Sequence, residues 1–238
     1  MPSMQDNVSR RKSASPLGRA LFTGLRALDV WWQYRLLTSG WASAAIAKLH
    51  GHPVPTAQIL SSAGAGAGAG LQPYYGLITL LALGSSAKQI ATMLLVSEQE
   101  TPIASALTIA FFNTVFNSLN TLLSAWSVTS QSPATGLLSS PAIALGAAAY
   151  TVGILTEAIS EVQRTAFKKD ARNKGAPYAG GLFSLATNVN YGGYTLWRGG
   201  YALVCGGVPW GAVTFSFFFW DFAVRGVPVL EQYLVGRV

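Results

Sequence analysis

The sequence predicts an all-α integral membrane protein with about five or six transmembrane helices. Half of its 238 residues are hydrophobic and only 11% are charged, whereas a soluble domain carries roughly a quarter charged residues. Its mean hydropathy is +0.36, and several apolar stretches are long enough to cross a bilayer. Seven Trp and nine Tyr fit this class, because their amphipathic rings favour the membrane interface.

The N-terminal part of the chain has the least regular pattern. Residues 1–16 are polar and predict a disordered tail. Residues 17–49 are compatible with a helix that carries Arg26 and Asp29, which are spaced to pair on one helical face. This segment is either a first span with a protein-facing polar stripe or a helix that lies at the interface. The "AGAGAGAG" stretch that follows predicts a flexible loop.

Five apolar stretches follow this loop. Three are long enough to cross about 30 Å of hydrocarbon, and they lie at residues 74–96, 102–126 and 138–160. Two shorter ones, at residues 194–208 and 209–224, are separated by Gly206, Gly207 and Pro209. That break predicts a tight re-entry or a kinked pair rather than one straight helix.

Polar residues interrupt two of these spans. Lys88 lies inside the first, and Asn113, Asn117 and Asn120 follow one flank of the second. Spacings of four and three place the three Asn side chains on one helical face. In lipid, such a face is expected to turn toward protein or a wet cavity.

The net charge of +7 is concentrated in two clusters. The first contains Arg10, Arg11, Lys12 and Arg19, and the second contains Arg164, Lys168, Lys169, Arg172 and Lys174. Long apolar runs separate them, which is typical of cytoplasmic loops in a multispanning protein and argues against nucleic-acid binding. We therefore expect the N-terminus, the acidic "SEQE" loop and the loop at residues 164–174 to be cytoplasmic.

A charged stripe marks the end of the third span. Glu157, Glu161, Arg164 and Lys168 are spaced by four, three and four residues, so they share one face of a helix. Along a helix axis the stripe covers about 16 Å. One interpretation is a snorkelling helix end with ordinary salt bridges. The other is a charged wall of a cavity that opens to the cytoplasm and holds an anionic cofactor.

A second polar face lies in "GGLFSLATNVNYGGYTLWRGG". If this stretch is helical, Asn190, Tyr194 and Arg198 repeat at every fourth position and lie on one face. Gly192 and Gly193 allow close approach of another backbone or a ligand, and an Arg fork suits a phosphate. The alternative interpretation of Arg198 is an anchor at the membrane interface.

These residues carry a resemblance to the membrane steroid 5-alpha-reductase-like superfamily, which includes sterol C=C reductases and, more distantly, isoprenylcysteine carboxyl methyltransferases. The matching elements are Glu157, Glu161, Gln163, Phe167–Lys168, Asn173–Lys174–Gly175, Gly181–Leu182–Phe183, Asn190–Tyr191 and Gly193. The strong similarity covers about a fifth of the chain. It divides the protein into the tail at residues 1–16, an N-terminal membrane region at 17–135 and a reductase-like region at 136–238.

The resemblance implies an enzyme that uses NADPH to reduce a carbon–carbon double bond of a lipid or steroid-like substrate. It further implies that Arg164, Lys168 and Arg198 counter the cofactor phosphates, and that Glu161 and Asn190 bind its ribose or amide groups. Glu157 belongs to the same cofactor-binding set, and either Tyr191 or Tyr194 polarises the acceptor as a neutral donor. The resemblance also implies residence in the endoplasmic reticulum.

Two departures keep other functions open. The family usually has Arg-His-Pro where this chain has Thr187, Asn188 and Val189, and it often has an acid at the position of Tyr194. One alternative is a lipid-binding or assembly scaffold without catalysis. Another is a methyltransferase that uses S-adenosylmethionine, for which the expected C-terminal acid pair is reduced to Glu231–Gln232.

Metal and thiol chemistry have little support in the sequence. His50 and His52 lie in one loop without a third ligand nearby. Cys205 lies in an apolar run and is interpreted as a small buried hydrophobic residue. We therefore predict no metal site.

Overall fold

The computed structural model describes residues 11–61, 70–133 and 136–230. Its helices and strands are α1 Pro16–Thr38, α2 Trp41–Lys48, α3 Thr56–Ile59, β1 Leu60–Ser61, β2 Gly70–Leu71, α4 Pro73–Ala91, α5 Ile103–Ala125, α6 Pro141–Lys169 and α7 Val189–Asp221. The two short strands pair antiparallel. Most of the predicted tail, most of the Gly-Ala repeat and the Glu231–Gln232 pair lie outside the described residues. The fold is all-α, as the sequence predicts.

Among the described residues, four helical stretches are long and apolar enough to cross a membrane. They are Pro73–Val96, Ile103–Ala125, Pro141–Lys169 and Val189–Leu230. Pro occupies the first turn of α4 and α6, where its missing N–H has no helical partner to lose. The first three stretches correspond to the predicted spans, although α6 extends through the charged stripe to Lys169 rather than ending near residue 160.

The helix α7 is a hairpin of two arms, at residues 189–205 and 208–221. Gly206 and Gly207 leave helical geometry, and Gly207 has φ 68° and ψ −168°, a conformation essentially restricted to glycine. Gly199 of the first arm faces Phe215 of the second, and Gly211 faces Leu203. The predicted break is therefore a reversal of direction, and the two shorter apolar stretches lie antiparallel.

Small residues bring α6 against the first arm of α7. A Cβ atom added at Gly200 would lie 2.6 Å from the carbonyl oxygen of Gly146, and one added at Gly153 would lie 2.6 Å from the carbonyl oxygen of Gly193. Only hydrogen fits between the backbones at these positions, which is a common way for membrane helices to associate. This close contact fixes the position along the helix axes at which the polar side chains of α6 and α7 meet.

The predicted cytoplasmic segments lie at one end of the bundle. Arg19 donates hydrogen bonds to the carbonyl oxygens of Ser97 (2.7 Å) and Gln99 (3.1 Å) in the loop after α4. Lys12 pairs with Glu98 of the same loop, and Glu98 also lies within electrostatic reach of Lys169 at the end of α6. An even number of crossings between the two basic clusters fits this arrangement. The compartment itself stays a prediction.

The helix α1 packs along α4 and α5 with its polar side turned inward. Arg26, Asp29 and Gln33 are buried, while Leu28 and Trp31 on the other side are exposed. This burial favours the interpretation of α1 as a span with a protein-facing polar stripe. The larger of two apolar clusters among the described residues joins residues from α1 to α7, so both predicted membrane regions contribute to it.

Candidate functional site

Glu157, the first residue of the charged stripe on α6, connects this helix to α4 and α7. Its carboxylate pairs with Lys88 of α4 and accepts a hydrogen bond from the indole nitrogen of Trp197 on α7 at 2.7 Å. The Lys88 and Glu157 side chains are 10% and 13% exposed. The partner that neutralises Glu157 therefore comes from another helix and not from the stripe itself.

Glu161 forms a second junction one turn nearer the basic loop. One carboxylate oxygen accepts a hydrogen bond from the Asn190 amide at 3.0 Å, and the other pairs with Arg164. The Arg164 guanidinium lies 5.8 Å from the ring centroid of Phe183. Lys168 is exposed on the last turn of α6. The stripe therefore divides into two partly buried junctions, and the one at Glu161 is the more exposed because the Arg164 side chain is 31% exposed.

The two polar faces that the sequence singled out are in direct contact. The Glu157–Trp197 and Glu161–Asn190 hydrogen bonds connect α6 to the first arm of α7. The loop between these helices is held by Gln163, whose side-chain oxygen accepts a hydrogen bond from the Leu182 amide at 3.0 Å. In the loop itself, Arg172 holds the pKa of Asp170 below its usual value through hydrogen bonds.

Arg198 is placed away from the other predicted cofactor-binding cations. It lies eight residues beyond Asn190, which is about 12 Å along a helix, and it is 1% exposed. Its guanidinium donates to the side-chain oxygen of Asn113 and to the Tyr194 hydroxyl at 3.0 and 3.1 Å. Among the described residues, Arg198 makes no ion pair with a carboxylate.

Aromatic rings surround this guanidinium. The ring centroids of Trp197, Tyr194, Phe218 and Phe116 lie between 4.4 and 5.8 Å from its central carbon. Such contacts partly replace the hydration that a buried cation loses. Because the Tyr194 hydroxyl accepts from Arg198, its own proton remains available for donation to another group. Tyr191, at the open end of the hairpin, stacks on Phe222 with centroids 4.4 Å apart.

A polar network between α1 and α5 was not assigned to the site by sequence reasoning. Arg26 pairs with Asp29 at 2.8 Å, as their spacing predicts. Asp29 also accepts hydrogen bonds from Gln33 at 2.8 Å and from Asn117 at 2.7 Å. The signal that identifies the network is a shared period: α1 carries polar residues at 26, 29 and 33, and α5 carries them at 113, 117 and 121.

The predicted Asn face of α5 does turn toward protein. Asn113, Asn117 and Asn120 are all at most 3% exposed, and Asn120 accepts a hydrogen bond from Trp210 at 2.6 Å. Cys205 is buried at the far end of the first arm. Within the described residues, no three His, Cys, Asp or Glu side chains are grouped so that they can hold a metal ion.

Comparisons with known proteins agree with this architecture. A model of the family described as 3-oxo-5-alpha-steroid 4-dehydrogenase matches residues 103–233, more than half of the chain and a range that contains every predicted site residue. The chain is also 37% identical over 244 residues to the probable O-methyltransferase ustE of Ustilaginoidea virens, and that similarity covers 98% of this chain and 84% of the relative. No solved structure matches the chain.

Proposed function

The chain belongs to the 3-oxo-5-alpha-steroid 4-dehydrogenase family, as its resemblance to that superfamily predicted, and we propose that it is a membrane-embedded enzyme that methylates an oxygen atom of a lipophilic small molecule. The methyl donor in this proposal is S-adenosylmethionine. The observation that carries the proposal is the 37% identity, along nearly the whole chain, to a probable O-methyltransferase. This similarity outweighs the reduced C-terminal acid pair, which ranked methyl transfer below reduction in the sequence.

The residues at the loop end of α6 and α7 suit this cofactor. S-adenosylmethionine is cationic at its sulfonium and ammonium groups, and carboxylates and aromatic faces both attract cations. Glu161 is 18% exposed, and the stacked rings of Tyr191 and Phe222 lie at the same end of the hairpin. In the proposal, Glu161 and Asn190 bind the polar groups of the cofactor while the rings exclude water beside its methyl group.

The bound cofactor supplies an electrophilic methyl group, and the chain supplies position. Both arms of α7 and the charged junctions of α6 fix the loop end of the bundle. In the proposal, the cofactor enters this end from the aqueous side. A lipophilic acceptor enters from the bilayer. Holding the two in line at short distance lowers the entropic part of the barrier. Residence in the endoplasmic reticulum is an additional proposal that follows from the resemblance alone.

The second candidate is the NADPH-dependent reduction that the resemblance implies. The description of the matching family favours it, and so does the Tyr194–Arg198 pair. Arg198 donates to the phenol oxygen, which leaves the phenol proton available for protonation of a carbonyl oxygen or enolate. The cofactor phosphates would be held by Arg164 and Lys168 at the open end. Arg164 would then have to exchange Glu161 for a phosphate.

Cofactor binding separates these candidates. The purified full chain in detergent is titrated with S-adenosylmethionine and with NADPH, and binding is followed by calorimetry. We expect saturable binding of S-adenosylmethionine that is weakened by Glu161→Gln and Asn190→Ala. The matched control is Glu98→Gln, which removes an exposed carboxylate from the loop after α4.

Other binding results would favour one of the alternative functions. Binding of NADPH alone, weakened by Lys168→Ala and Asn190→Ala, would contradict methyl transfer and support reduction as the activity. Binding of neither cofactor would support the scaffold alternative. Formation of a methylated product from a lipophilic phenol or acid with radiolabelled S-adenosylmethionine is the direct test of the activity.

A further inference from the structure

The bundle buries more positive than negative charge around Arg198. Arg198 and Arg26 are at most 1% exposed, and Arg26 lies within electrostatic reach of Arg198. Asp29 is the carboxylate of this cluster, and it pairs with Arg26. The nearby Lys88–Glu157 pair is neutral by itself. Among the described residues, two guanidinium groups therefore share one carboxylate.

The Asp29 carboxylate has few hydrogen-bond acceptor positions left for Arg198. One oxygen of Asp29 accepts from Arg26 at 2.8 Å and from Asn117 at 2.7 Å, and the other accepts from Gln33 at 2.8 Å. Arg198 depends instead on two neutral acceptors, the Asn113 amide and the Tyr194 phenol. A buried cation with neutral partners alone is costly unless an anion joins it.

Polar atoms without partners mark where such an anion fits. In the described part of the chain, Nη1 of Arg198 and Nε of Arg26 are buried N–H donors without a hydrogen-bond acceptor. Buried donors in native proteins are nearly always satisfied. Two guanidinium donors that lack acceptors indicate a ligand with negatively charged oxygens, because a planar carboxylate matches the donor geometry of Arg.

A groove on the surface of the bundle reaches Ser86, the hydrogen-bond partner of Arg26. This groove, here called the slot, lies between α1 and α4 and has a volume of about 520 Å³. Its walls include Val30, Trp31, Tyr34, Leu83 and Ile90, together with Ser86. The Ser86 hydroxyl accepts a hydrogen bond from Arg26 at 2.8 Å. The guanidinium of Arg26 therefore lies next to Ser86, a polar residue in the otherwise largely apolar wall of the slot.

We propose that Arg26 and Arg198 bind the carboxylate headgroup of a lipophilic ligand whose apolar chain occupies the slot between α1 and α4. The carboxylate replaces the Ser86 hydroxyl as an acceptor for Arg26 and supplies the acceptor that Arg198 lacks. The headgroup thereby neutralises the excess positive charge, and the slot contributes apolar burial. This site is separate from Glu161 and Asn190, so it does not depend on which cofactor the enzyme uses.

Binding of three probes to the purified full chain in detergent tests the proposal. Oleate has both the chain and the carboxylate, oleyl alcohol has the chain without the charge, and acetate has the charge without the chain. We expect oleate to bind at least about tenfold more tightly than oleyl alcohol, since hydrogen bonds to a charged group contribute that much or more. Acetate is expected to show no saturation in the concentration range of oleate.

Two variants locate the site. Arg198→Gln is expected to weaken oleate binding by about tenfold or more while leaving oleyl alcohol unchanged. Ala87→Trp fills the slot from an exposed position on α4 and is expected to weaken both long-chain probes. Its matched control is Ala148→Trp, at an exposed position on α6 outside the slot.

Three results would overturn the proposal. They are equal affinity for oleate and oleyl alcohol, saturation by acetate alone at similar concentrations, and unchanged oleate binding in folded Ala87→Trp protein. Loss of folding in Arg198→Gln does not remove the test, because the comparison of probes on the unchanged protein and the Ala87→Trp variant both remain. Binding of S-adenosylmethionine or NADPH is measured separately and has no bearing on these outcomes.

Discussion

Tyr191 and Phe222 lie face to face, with ring centroids 4.4 Å apart and ring planes within 5° of parallel. Tyr191 is in the first turn of α7, and Phe222 directly follows its last residue. Their contact closes the open end of the hairpin, just as Gly206 and Gly207 form its turn. The rings therefore hold together two arms that the chain connects only at the opposite end.

The turn of the hairpin is expected to require glycine at position 207. Gly207→Ala places a side chain in a backbone region that costs about 1–3 kcal/mol for other residues, and the new Cβ would lie 2.8 Å from the Gln131 side chain. We expect a loss of stability of that size in thermal unfolding of the detergent-solubilised protein. Gly76→Ala is the control, since nothing lies within 4 Å of a Cβ there and Ala is the better helix former. Equal stability of the two variants would contradict the assigned turn.

The Lys88–Glu157 pair is expected to show strong coupling. Lys88→Met leaves a largely buried carboxylate, 13% exposed, without its cation and is predicted to cost about 3–5 kcal/mol of unfolding free energy. Glu157→Gln keeps an acceptor for Trp197 but leaves Lys88 unpaired. The combined variant should lose much less stability than the sum of the two single losses, because it contains neither unpaired charge. Additive losses in a double-mutant cycle would show that the pair does not form.

Tyr194→Phe separates the structural role of the phenol from a catalytic one. The substitution keeps the ring contacts with Trp197 and Phe218 but removes the acceptor for two N–H groups of Arg198. We predict a stability loss of about 1.5–3 kcal/mol. If the enzyme transfers a methyl group, turnover per folded molecule should stay near that of the unchanged protein. Tyr178→Phe, in the loop after α6, is the control.

A collapse of turnover in folded Tyr194→Phe would instead identify the phenol as the proton donor of a reductase. Such a result would overturn the proposed methyl transfer while leaving the predicted loss of stability intact. Unchanged stability would contradict the hydrogen bonds between Arg198 and Tyr194.

The N-terminal segment is expected to loosen in acid. Lys12 holds the pKa of Glu98 below its usual value of 4.5, so the folded protein binds this proton less readily than the unfolded chain. The stabilising contribution is present above about pH 4.5 and is lost as pH falls through the lowered pKa. Hydrogen exchange of the Glu100 amide, which donates to the Arg11 carbonyl oxygen at 2.9 Å, should lose protection in that range after correction for intrinsic exchange.

The matched variant for this experiment is Glu98→Gln. It should show reduced protection of the Glu100 amide already at neutral pH and no further loss on acidification. Identical exchange in both proteins at every pH would show that the Lys12–Glu98 pair does not hold the segment.

Periodicity and length were enough to predict α4, α5 and most of α6, because each span is a local property of its own residues. The division of residues 17–49 into α1 and α2 at Gly40 was not predicted. The Arg26–Asp29 pair and the inward Asn face also followed from local spacing. The partner of Glu157 did not, because Lys88 lies on α4, and no pattern within α6 indicates which neighbouring helix supplies a cation. The same limit explains Arg198: its place on a face with Tyr194 was predictable, but its distance from Arg164 depends on how α6 and α7 pack.

The hairpin shows what glycine and proline can and cannot indicate. Gly206, Gly207 and Pro209 predicted a break, and the length of the two stretches allowed either a kink or a reversal. The deciding contacts, such as Gly199 with Phe215, join residues of both arms. They are a property of the folded chain and have no signature in either stretch alone.

The glycines that join α6 to the first arm of α7 also determine which parts of the bundle can move. Where two backbones touch at Gly146 and Gly200, no side chain is present to change rotamer, so these helices are expected to travel as one rigid body. Beyond Gly18, where the backbone of α1 contacts the Thr101 carbonyl oxygen, α1 meets its neighbours through long side chains, including those of Arg26 and Trp32. Local opening of the bundle is therefore expected mainly at its N-terminal helix. Amide exchange should be faster along α1 than along the glycine-packed part of α6.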